Sequence, residues 1–340
     1  MRRIPASYTS DIRPAPPRLA EAQPSGFRPA TWSDNYTHTY LAIMPRVAVI
    51  QWSIKNLAVE QNHSTACEYI RSAAAQGAEL AVLPEYHLFG WAPEDPFFAE
   101  QASQTTKYLE AYQALAKELS ICIVPGTLVE KHPHPDSSLS SEDQDGDRDA
   151  YVLYNTAYFI SNTGAILGRY RKKNIWHPER EYLTSSGMEK HEVFDTPIGK
   201  VGLLICWDVA FPEAFRELIA AGAEIVIVPT YWGRYDANPD ALNHNPNSEA
   251  LFLDSVLTAR CFENTCGIIF ANVSGEEQFL GMSRVVLPVV GPIAKMGNEE
   301  GVLVTDMNMD LVRIAEENYK VRMDIKREGW YYSYRHSEKR

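Results

Sequence analysis

Short runs of apolar, β-branched residues alternate with segments of helical period along most of this 340-residue chain. The first run covers residues 46–52, a segment of helical spacing follows over 59–76 and stops before Gly77, and a second apolar run covers 78–83. A helix that ends at a glycine between two short apolar runs is typical of a strand–helix–strand unit. Since such strands need helices to cover them, the pattern predicts an α/β protein with a mixed sheet or a pair of sheets.

The same alternation continues to residue 306. Further strands are predicted over 121–125, 151–160, 165–171, 200–206, 224–228, 268–273, 284–290 and 302–306, and further helices over 106–119, 212–221 and 248–264. Asn162-Thr163-Gly164 lies between two of these strands and predicts a hairpin turn, because Gly tolerates the positive φ that such turns require. The hairpin adds an antiparallel pair to the predicted parallel strands.

Two segments lack the alternation. Residues 1–45 hold seven prolines and five arginines without any period, which predicts a disordered leader; a transit peptide is the alternative, although its prolines oppose the amphipathic helix that such peptides form. Residues 132–150 are rich in Asp, Ser and Pro, which predicts a solvated surface insertion. We therefore expect one domain over 46–330, interrupted by that insertion and followed by a tail over 331–340.

The charge and cysteine pattern exclude several classes of protein. A net charge of −12 with no basic stripe argues against nucleic acid or an anionic membrane as a partner. The apolar runs are shorter than the ~18 residues of a membrane-spanning helix. Five scattered cysteines predict free thiols in a reducing, cytoplasmic setting. His132 and His134 have no further ligand nearby in sequence, so we expect neither a metal nor a cofactor.

Three strand ends carry groups that together perform acyl transfer. Cys206 ends the strand predicted over 200–206, and Glu85 and Lys172 follow two other strands. A thiol with a pKa near 8.5 needs activation, which Glu85 supplies as a general base and Lys172 as a neighbouring cation. Lys172 and the backbone N–H of Trp207 are candidate oxyanion donors. Singly, each residue also fits a structural role: a buried thiol, an acid at a helix start, a solvated lysine.

In this order and spacing, the motifs around these residues resemble the carbon-nitrogen hydrolase, or nitrilase, superfamily. The resemblance covers about residues 46–330 and rests on Leu83-Pro84-Glu85, Tyr170-Arg171-Lys172, the run Gly202-Leu-Leu-Ile-Cys206-Trp-Asp208, and Phe211-Pro212-Glu213. It implies a four-layer αββα sandwich that pairs into homodimers or larger homo-oligomers. It also implies hydrolysis of a carbon–nitrogen bond in a small molecule, without a metal or cofactor.

The resemblance assigns a role to each motif. Glu85 is expected to be the general base, Lys172 the oxyanion stabiliser, and Cys206 the nucleophile that forms a thioester acyl-enzyme. Many members have a second glutamate after the lysine. Glu179 fits that position better than Glu181, which lies one helical turn away and stays an alternative.

The residues after the cysteine indicate the substrate. Trp207-Asp208 resembles the amidases and carbamoyl-hydrolases, whereas true nitrilases typically have Trp-Glu, so an amide or N-carbamoyl amine is expected and a nitrile is the alternative. Two positions depart from many amidase members, which have histidine where this chain has Asn174 and arginine where it has Ala210. Both departures lie where the pocket wall or its support is expected, so they bear on the substrate rather than on the chemistry.

The predicted pocket wall is aromatic. Tyr86, Trp207, Tyr231 and Trp232 all lie at strand ends, which indicates a narrow and partly apolar pocket. A substrate carboxylate is expected to bind Arg234. Arg260 is the weaker candidate, because in the family the helix end on which it lies mainly supports the active-site loops.

Two rival hypotheses remain. One is a cysteine–histidine hydrolase that pairs Cys206 with His177 or His244. The other is an inactive relative that acts as a binding or assembly module, although the presence of all three catalytic residue types argues against it.

Overall fold

The computed structural model describes residues 44–134 and 151–332. Almost all of the predicted leader, most of the predicted insertion and most of the predicted tail lie outside these ranges. Within them, the strands are β1 Arg46–Gln51, β2 Leu80–Val82, β3 Cys122–Val124, β4 Leu128–Pro133, β5 Tyr151–Ile160, β6 Ile166–Arg171, β7 Val193–Thr196, β8 Gly199–Leu203, β9 Ile225–Pro229, β10 Gly267–Ala271, β11 Arg284–Leu287, β12 Gly291–Lys295 and β13 Gly301–Asp306. The helices are α1 Val59–Ala75, α2 Pro96–Ala102, α3 Thr105–Leu119, α4 Pro212–Ala221, α5 Pro239–His244, α6 Ser248–Asn264, α7 Asp310–Tyr319 and α8 Val321–Ile325.

The strands form two sheets. The first has the order β13-β1-β2-β3-β5-β4, with β6 also paired to β5, and the second has the order β12-β11-β10-β9-β8-β7. Strands β1, β2 and β3 are parallel to one another, as are β8, β9 and β10. Each sheet therefore has a parallel centre and antiparallel edges, which agrees with the alternation of strands and helices along the chain.

Side chains of one strand alternate between two separate cores. In β1, Val47 and Val49 pack toward the second sheet, whereas Ala48 and Ile50 pack toward α1 and α3. On the far side, α4 and α6 pack on the second sheet, for example through Phe215. The layers are thus helices, sheet, sheet, helices, and the expected four-layer αββα sandwich is confirmed.

Some elements differ from the prediction. The insertion was expected to begin at His132, but His132 and Pro133 belong to β4 and pair with Val152 and Tyr151 of β5. Pairing with a long neighbouring strand extends β4 into a polar segment that has no apolar alternation of its own. The sequence pattern also does not predict the short edge strands β7 and β12 or the amphipathic helix α7.

Strands that carry the predicted catalytic residues end at the same side of the sandwich. Since β5 is antiparallel to β3 and β6 is antiparallel to β5, β6 runs in the direction of β2 and β3. Glu85 N donates to Thr230 O across 3.2 Å, which joins the segment after β2 to the segment after β9 in the other sheet. The site is therefore built where the carboxyl ends of both sheets meet.

No helix in residues 44–134 and 151–332 is long and apolar enough to cross a membrane.

The packing of α4 on the second sheet yields a stability prediction. Phe215→Ala is expected to lower the free energy of unfolding by about 3–5 kcal/mol, because loss of the fully buried ring leaves a cavity in the core beneath α4. Urea denaturation followed by circular dichroism measures this change. The matched control is Phe97→Ala in α2, where the ring is 59% exposed, and a change above about 0.5 kcal/mol is not expected there. Equal effects of the two substitutions would contradict the assignment of the core.

Candidate active site

Lys172 is a fully buried lysine that lies between two carboxylates. Its backbone N–H donates to Asn155 O, which continues the pairing of β6 with β5 by one residue. Its ammonium donates to Glu85 Oε1 at 2.8 Å and to both carboxylate oxygens of Glu179, each at 2.8 Å. Burial opposes the charge on Lys172, but Glu179 and Glu85 outweigh it and raise the pKa of the lysine. The ammonium is therefore charged at neutral pH and joins the two glutamates.

Glu85 is fully buried and receives hydrogen bonds from three directions. Oε1 accepts from Lys172 Nζ and from Asn155 Nδ2 at 2.8 Å, and Oε2 accepts from Tyr231 N at 2.9 Å. Burial raises the pKa of Glu85 to about 7, with Lys172 opposing and Glu179 adding to the rise. A carboxyl with this pKa has the strength that suits a general base at neutral pH.

Glu179 is buried beside the lysine, and its carboxylate accepts four hydrogen bonds. Tyr86 Oη donates to Glu179 Oε1 at 2.5 Å and Trp176 N donates to Oε2 at 2.9 Å. With the two bonds from the ammonium, both oxygens are occupied. Glu181 is exposed and lines a different surface cleft. Of the two acids that the sequence leaves open, Glu179 is the one that contacts Lys172.

Cys206 lies on a tight turn between β8 and α4. Its φ is +45°, a left-handed value that is uncommon for a residue other than glycine, and a 3₁₀ turn over Cys206–Ala210 follows at once. The thiol is buried in contact with Glu85 and lies near the backbone N–H of Tyr231, which itself donates to Glu85. Burial and the Glu85 carboxylate raise the pKa of the Cys206 thiol well above its usual value. The thiol is therefore protonated at neutral pH and requires a base, which Glu85 is placed to be.

Asp208 joins the cysteine turn to the segment after Lys172. One oxygen accepts from Ile205 N at 2.9 Å and Tyr170 Oη at 2.9 Å, and the other accepts from Asn174 N at 3.1 Å and Asn174 Nδ2 at 2.8 Å. The carboxylate is fully buried and does not line the cavity beside Cys206. The aspartate at this position therefore bears on the geometry of the turn. Because its side chain does not line the cavity, it does not contact a substrate there.

The two arginines expected to bind a substrate carboxylate have other partners. Arg260 donates through Nε to Val209 O at 3.2 Å and through Nη2 to Ala210 O at 3.3 Å, so it supports the cysteine turn from α6. Arg234 donates to the backbone carbonyls of residues 277 and 279. Neither side chain lines the cavity, and the expectation of a guanidinium facing the substrate is wrong.

A small cavity of about 40 Å³ opens beside Cys206. Its other lining residues are Trp176, Glu179, Trp207, Tyr231, Trp232 and Asp236. The Trp176 and Trp207 rings are 4.4 Å apart, and Trp207 and Trp232 are 5.6 Å apart, measured between ring centroids. The wall is aromatic, as the sequence predicts, and its volume suits one small polar group rather than a polymer.

Three predicted residues line this wall and one does not. Trp207, Tyr231 and Trp232 face the cavity, whereas Tyr86 is buried behind it and holds Glu179. Tyr86 therefore acts through Glu179 and does not contact the space that a substrate occupies. Its φ of +52° turns the residue after Glu85 away from the strand direction, which sequence reasoning does not reveal.

The rival cysteine–histidine site finds no support in the geometry. His177 and His244 are both exposed, and no histidine lines the cavity among the residues that the structure describes. The group in contact with the thiol is the Glu85 carboxylate.

Sequence reasoning missed four residues of the site. Asn155 and Tyr170 hold Glu85 and Asp208, and Trp176 and Asp236 line the cavity. An amide inside the otherwise apolar run of β5 is a signal for Asn155, because a buried polar side chain requires a partner. Asp236 lies in an irregular loop, where no periodicity indicates which way a side chain faces.

Comparison with known proteins identifies the family. Residues 46–316 match the model of the carbon-nitrogen hydrolase family. A nitrilase of Pyrococcus abyssi is 29% identical over 79% of this chain and 92% of its own length, and an omega-amidase of Homo sapiens is 28% identical over 80% of this chain and 90% of its own. A probable nitrilase of Schizosaccharomyces pombe is 30% identical, but this chain spans only 60% of that protein's length.

Solved structures agree with this assignment. A carbon-nitrogen hydrolase from Helicobacter pylori has the same fold, with a TM-score of 0.71 at 21% identity over 86% of this chain and 97% of that one. An amidase of the nitrilase superfamily from Nesterenkonia has a TM-score of 0.60 at 26% identity over 81% of this chain and 96% of that one. The chain belongs to the carbon-nitrogen hydrolase family and is an enzyme of that class.

The hydrogen bonds of Asp208 yield a prediction. Asp208→Asn is expected to lower the free energy of unfolding by about 1–3 kcal/mol. The NH₂ group of asparagine replaces one carboxylate oxygen, so the two buried donors that face that oxygen lose their acceptor. Urea denaturation measures the loss. Asp195→Asn is the matched control, since that carboxylate pairs with Lys200 at the surface, where an ion pair contributes little to stability. A wild-type stability in Asp208→Asn would contradict the proposed role in joining the two segments.

Proposed function

We propose that this enzyme hydrolyses a small amide or N-carbamoyl amine through a thioester on Cys206. The observation that supports the proposal is the buried ammonium of Lys172, held by Glu85 and Glu179 beside a thiol that contacts Glu85. A nucleophile, a base of suitable pKa and a fixed cation at the end of a small cavity are the groups that acyl transfer requires.

In the first half-reaction, Glu85 takes the proton of the thiol while Cys206 Sγ attacks the carbonyl carbon. The negative charge that develops on oxygen is stabilised by the Lys172 ammonium and by the Trp207 N–H. Trp207 is the second residue of the 3₁₀ turn, and the first N–H groups of such a turn have no partner within it. Glu85 then gives its proton to the leaving nitrogen, the carbon–nitrogen bond breaks, and ammonia or an amine departs from the thioester.

In the second half-reaction, water replaces the amine. Glu85 removes a proton from the water as its oxygen attacks the thioester carbon, the carbon–sulfur bond breaks, and the proton returns to sulfur. Glu179 takes no proton in this scheme, because each of its oxygens already accepts two hydrogen bonds, whereas Glu85 Oε2 accepts one. Its role is to hold the ammonium of Lys172 where the oxyanion forms.

The relatives support an amide substrate. The similar human protein is named an omega-amidase, and a mutant of the Nesterenkonia amidase carries the acetamide moiety of fluoroacetamide on its active-site cysteine. The nitrilase of Pyrococcus abyssi has a similar identity to this chain, so a nitrile is the second substrate class to test.

We also propose that the enzyme forms a homodimer or a larger homo-oligomer. Light scattering of the purified protein measures its oligomeric state.

Mass spectrometry tests the covalent step. With a panel of short amides, N-carbamoyl amines and nitriles, Cys206→Ala is expected to reduce ammonia release by at least about 10⁴-fold, since the nucleophile is gone. Glu85→Gln is expected to slow both half-reactions, and an acyl group that does form on Cys206 is expected to persist, because the water that attacks the thioester has no general base. Cys67→Ala is the matched control, since that half-buried thiol lies on α1 away from the cavity.

Three outcomes would contradict the proposal. Full activity in Cys206→Ala would exclude the thioester. An adduct on Cys67 in place of Cys206 would place the chemistry elsewhere. Ammonia release from nitriles but not from amides would assign the enzyme to the nitrilases.

The pKa of Glu85 predicts the pH dependence. Because the base acts in its ionised form and burial raises its pKa to about 7, kcat/KM is expected to fall about tenfold per pH unit below pH 7 and to level off above it. Acetamide is a suitable substrate, since it does not titrate between pH 5 and 9. An acid limb near pH 4.5, the ordinary value for a glutamate, would contradict a base whose pKa is raised by burial.

A further inference from the structure

The cavity beside Cys206 has a buried end and an open end. Cys206 and Glu179 are buried, whereas Asp236 is solvent-exposed and lies in the loop after β9. At about 40 Å³, the cavity has the space of one or two water molecules in the liquid. The reacting carboxamide fits the buried end, and the rest of a substrate extends along the aromatic wall toward the open end at Asp236.

One oxygen of Asp236 is available to a ligand. Oδ2 accepts a hydrogen bond from Gly233 N at 2.8 Å, which fixes the side chain within its loop. Oδ1 has no hydrogen-bond partner in the part of the chain that the structure describes. The carboxylate is thus held in place by one oxygen, and the residue lies at the mouth of the cavity.

The charges around the cavity favour a cation. Among the described residues that line it are two carboxylates and neither lysine nor arginine. The Lys172 ammonium is already bound by Glu85 and Glu179, and the nearby Glu249 carboxylate adds negative charge while it accepts from the indole N–H of Trp232 at 2.6 Å. Since Arg234 is bound to backbone carbonyls, an anionic substrate group would meet an acidic mouth with no guanidinium to receive it.

The aromatic wall of the cavity also favours a cation. Three tryptophans, Trp176, Trp207 and Trp232, surround the space between Cys206 and Asp236. The faces of indole rings attract ammonium groups and also pack against alkyl chains. A carboxylate beside tryptophan rings therefore recognises a short alkyl chain that ends in an ammonium group.

We propose that Asp236 determines specificity and that the substrate is a short amide or N-carbamoyl amine with a terminal ammonium group. The ammonium donates to Asp236 Oδ1 at the mouth, the alkyl chain lies along the tryptophans, and the scissile carbonyl reaches Cys206. This inference rests on the proposed hydrolysis at Cys206 and adds the chemical class of the substrate.

The ionisation of Asp236 sets the assay conditions. Surrounding protein raises its pKa to about 6, so the carboxylate is ionised at pH 8. At that pH an aliphatic ammonium is also charged.

Three amides of similar size provide the test. 4-Aminobutanamide carries an ammonium, pentanamide carries a methyl group in its place, and succinamate carries a carboxylate. In the wild-type enzyme at pH 8, kcat/KM is expected to decrease in that order. Asp236→Asn keeps an acceptor for Gly233 N–H but removes the charge, and it is expected to lower the ratio of kcat/KM for 4-aminobutanamide over pentanamide by about tenfold or more.

The matched control is Asp240→Asn. It removes the same charge from an exposed position in α5 that does not line the cavity, so the ratio is expected to stay at the wild-type value. Asp236→Lys is expected to invert the preference and to favour succinamate. Circular dichroism of each variant establishes that it is folded.

Three results would overturn the inference, and each is distinct from a failure of the hydrolase proposal. A ratio that is unchanged in Asp236→Asn, or reduced equally in Asp240→Asn, would show that Asp236 does not select the substrate. If the wild-type enzyme hydrolyses none of the three amides, titration calorimetry with n-butylammonium tests the cation site, because binding does not need turnover. Binding to the wild-type protein that weakens about tenfold in Asp236→Asn supports the cation site, and no difference between the two excludes it.

Discussion

The buried ammonium of Lys172 is the interaction on which the site depends. Transfer of a lone charge into a protein interior is very costly, so the lysine requires both Glu85 and Glu179, and removal of one partner of such a group typically costs about 3–5 kcal/mol. The same contacts give Glu85 a pKa of about 7, because burial raises it while the ammonium limits the rise. One buried cation thus positions two acids and keeps one of them usable as a base.

The backbone around this cation is held by buried polar groups. Cys206 adopts a positive φ, and Asp208 and Arg260 bind the turn from two sides, the first through Ile205 N–H and the second through the Val209 and Ala210 carbonyls. Such a strained conformation persists only where its surroundings determine it. Asp208 also binds Asn174, so the turn that carries the thiol and the segment that follows Lys172 keep a constant separation.

Much of the fold could be predicted from the sequence, and the reason lies in its periodicity. Strand β5 and helices α4 and α6 have the predicted bounds, because the mainly apolar run of β5, Pro212 and Gly222 at the ends of α4, and the helical spacing of α6 act locally. Strands β7 and β12 escaped prediction, since short edge strands are held by their neighbours and carry little pattern of their own. Strand β4 was not predicted either, because its pairing with β5 holds a partly polar segment in the sheet.

For the site, the residue types and the order in which they end their strands can be predicted from the sequence. Glu85, Lys172 and Cys206 each follow an apolar run, and their motifs resemble one hydrolase family. Which of these groups meet is a property of the folded chain: Glu179 rather than Glu181 binds the lysine, Tyr86 lies behind the cavity, and Asp236 lies at its mouth. No local pattern indicates these contacts, because they join loops far apart in the chain, and the direction of a loop side chain depends on the hydrogen bonds that it finds after folding.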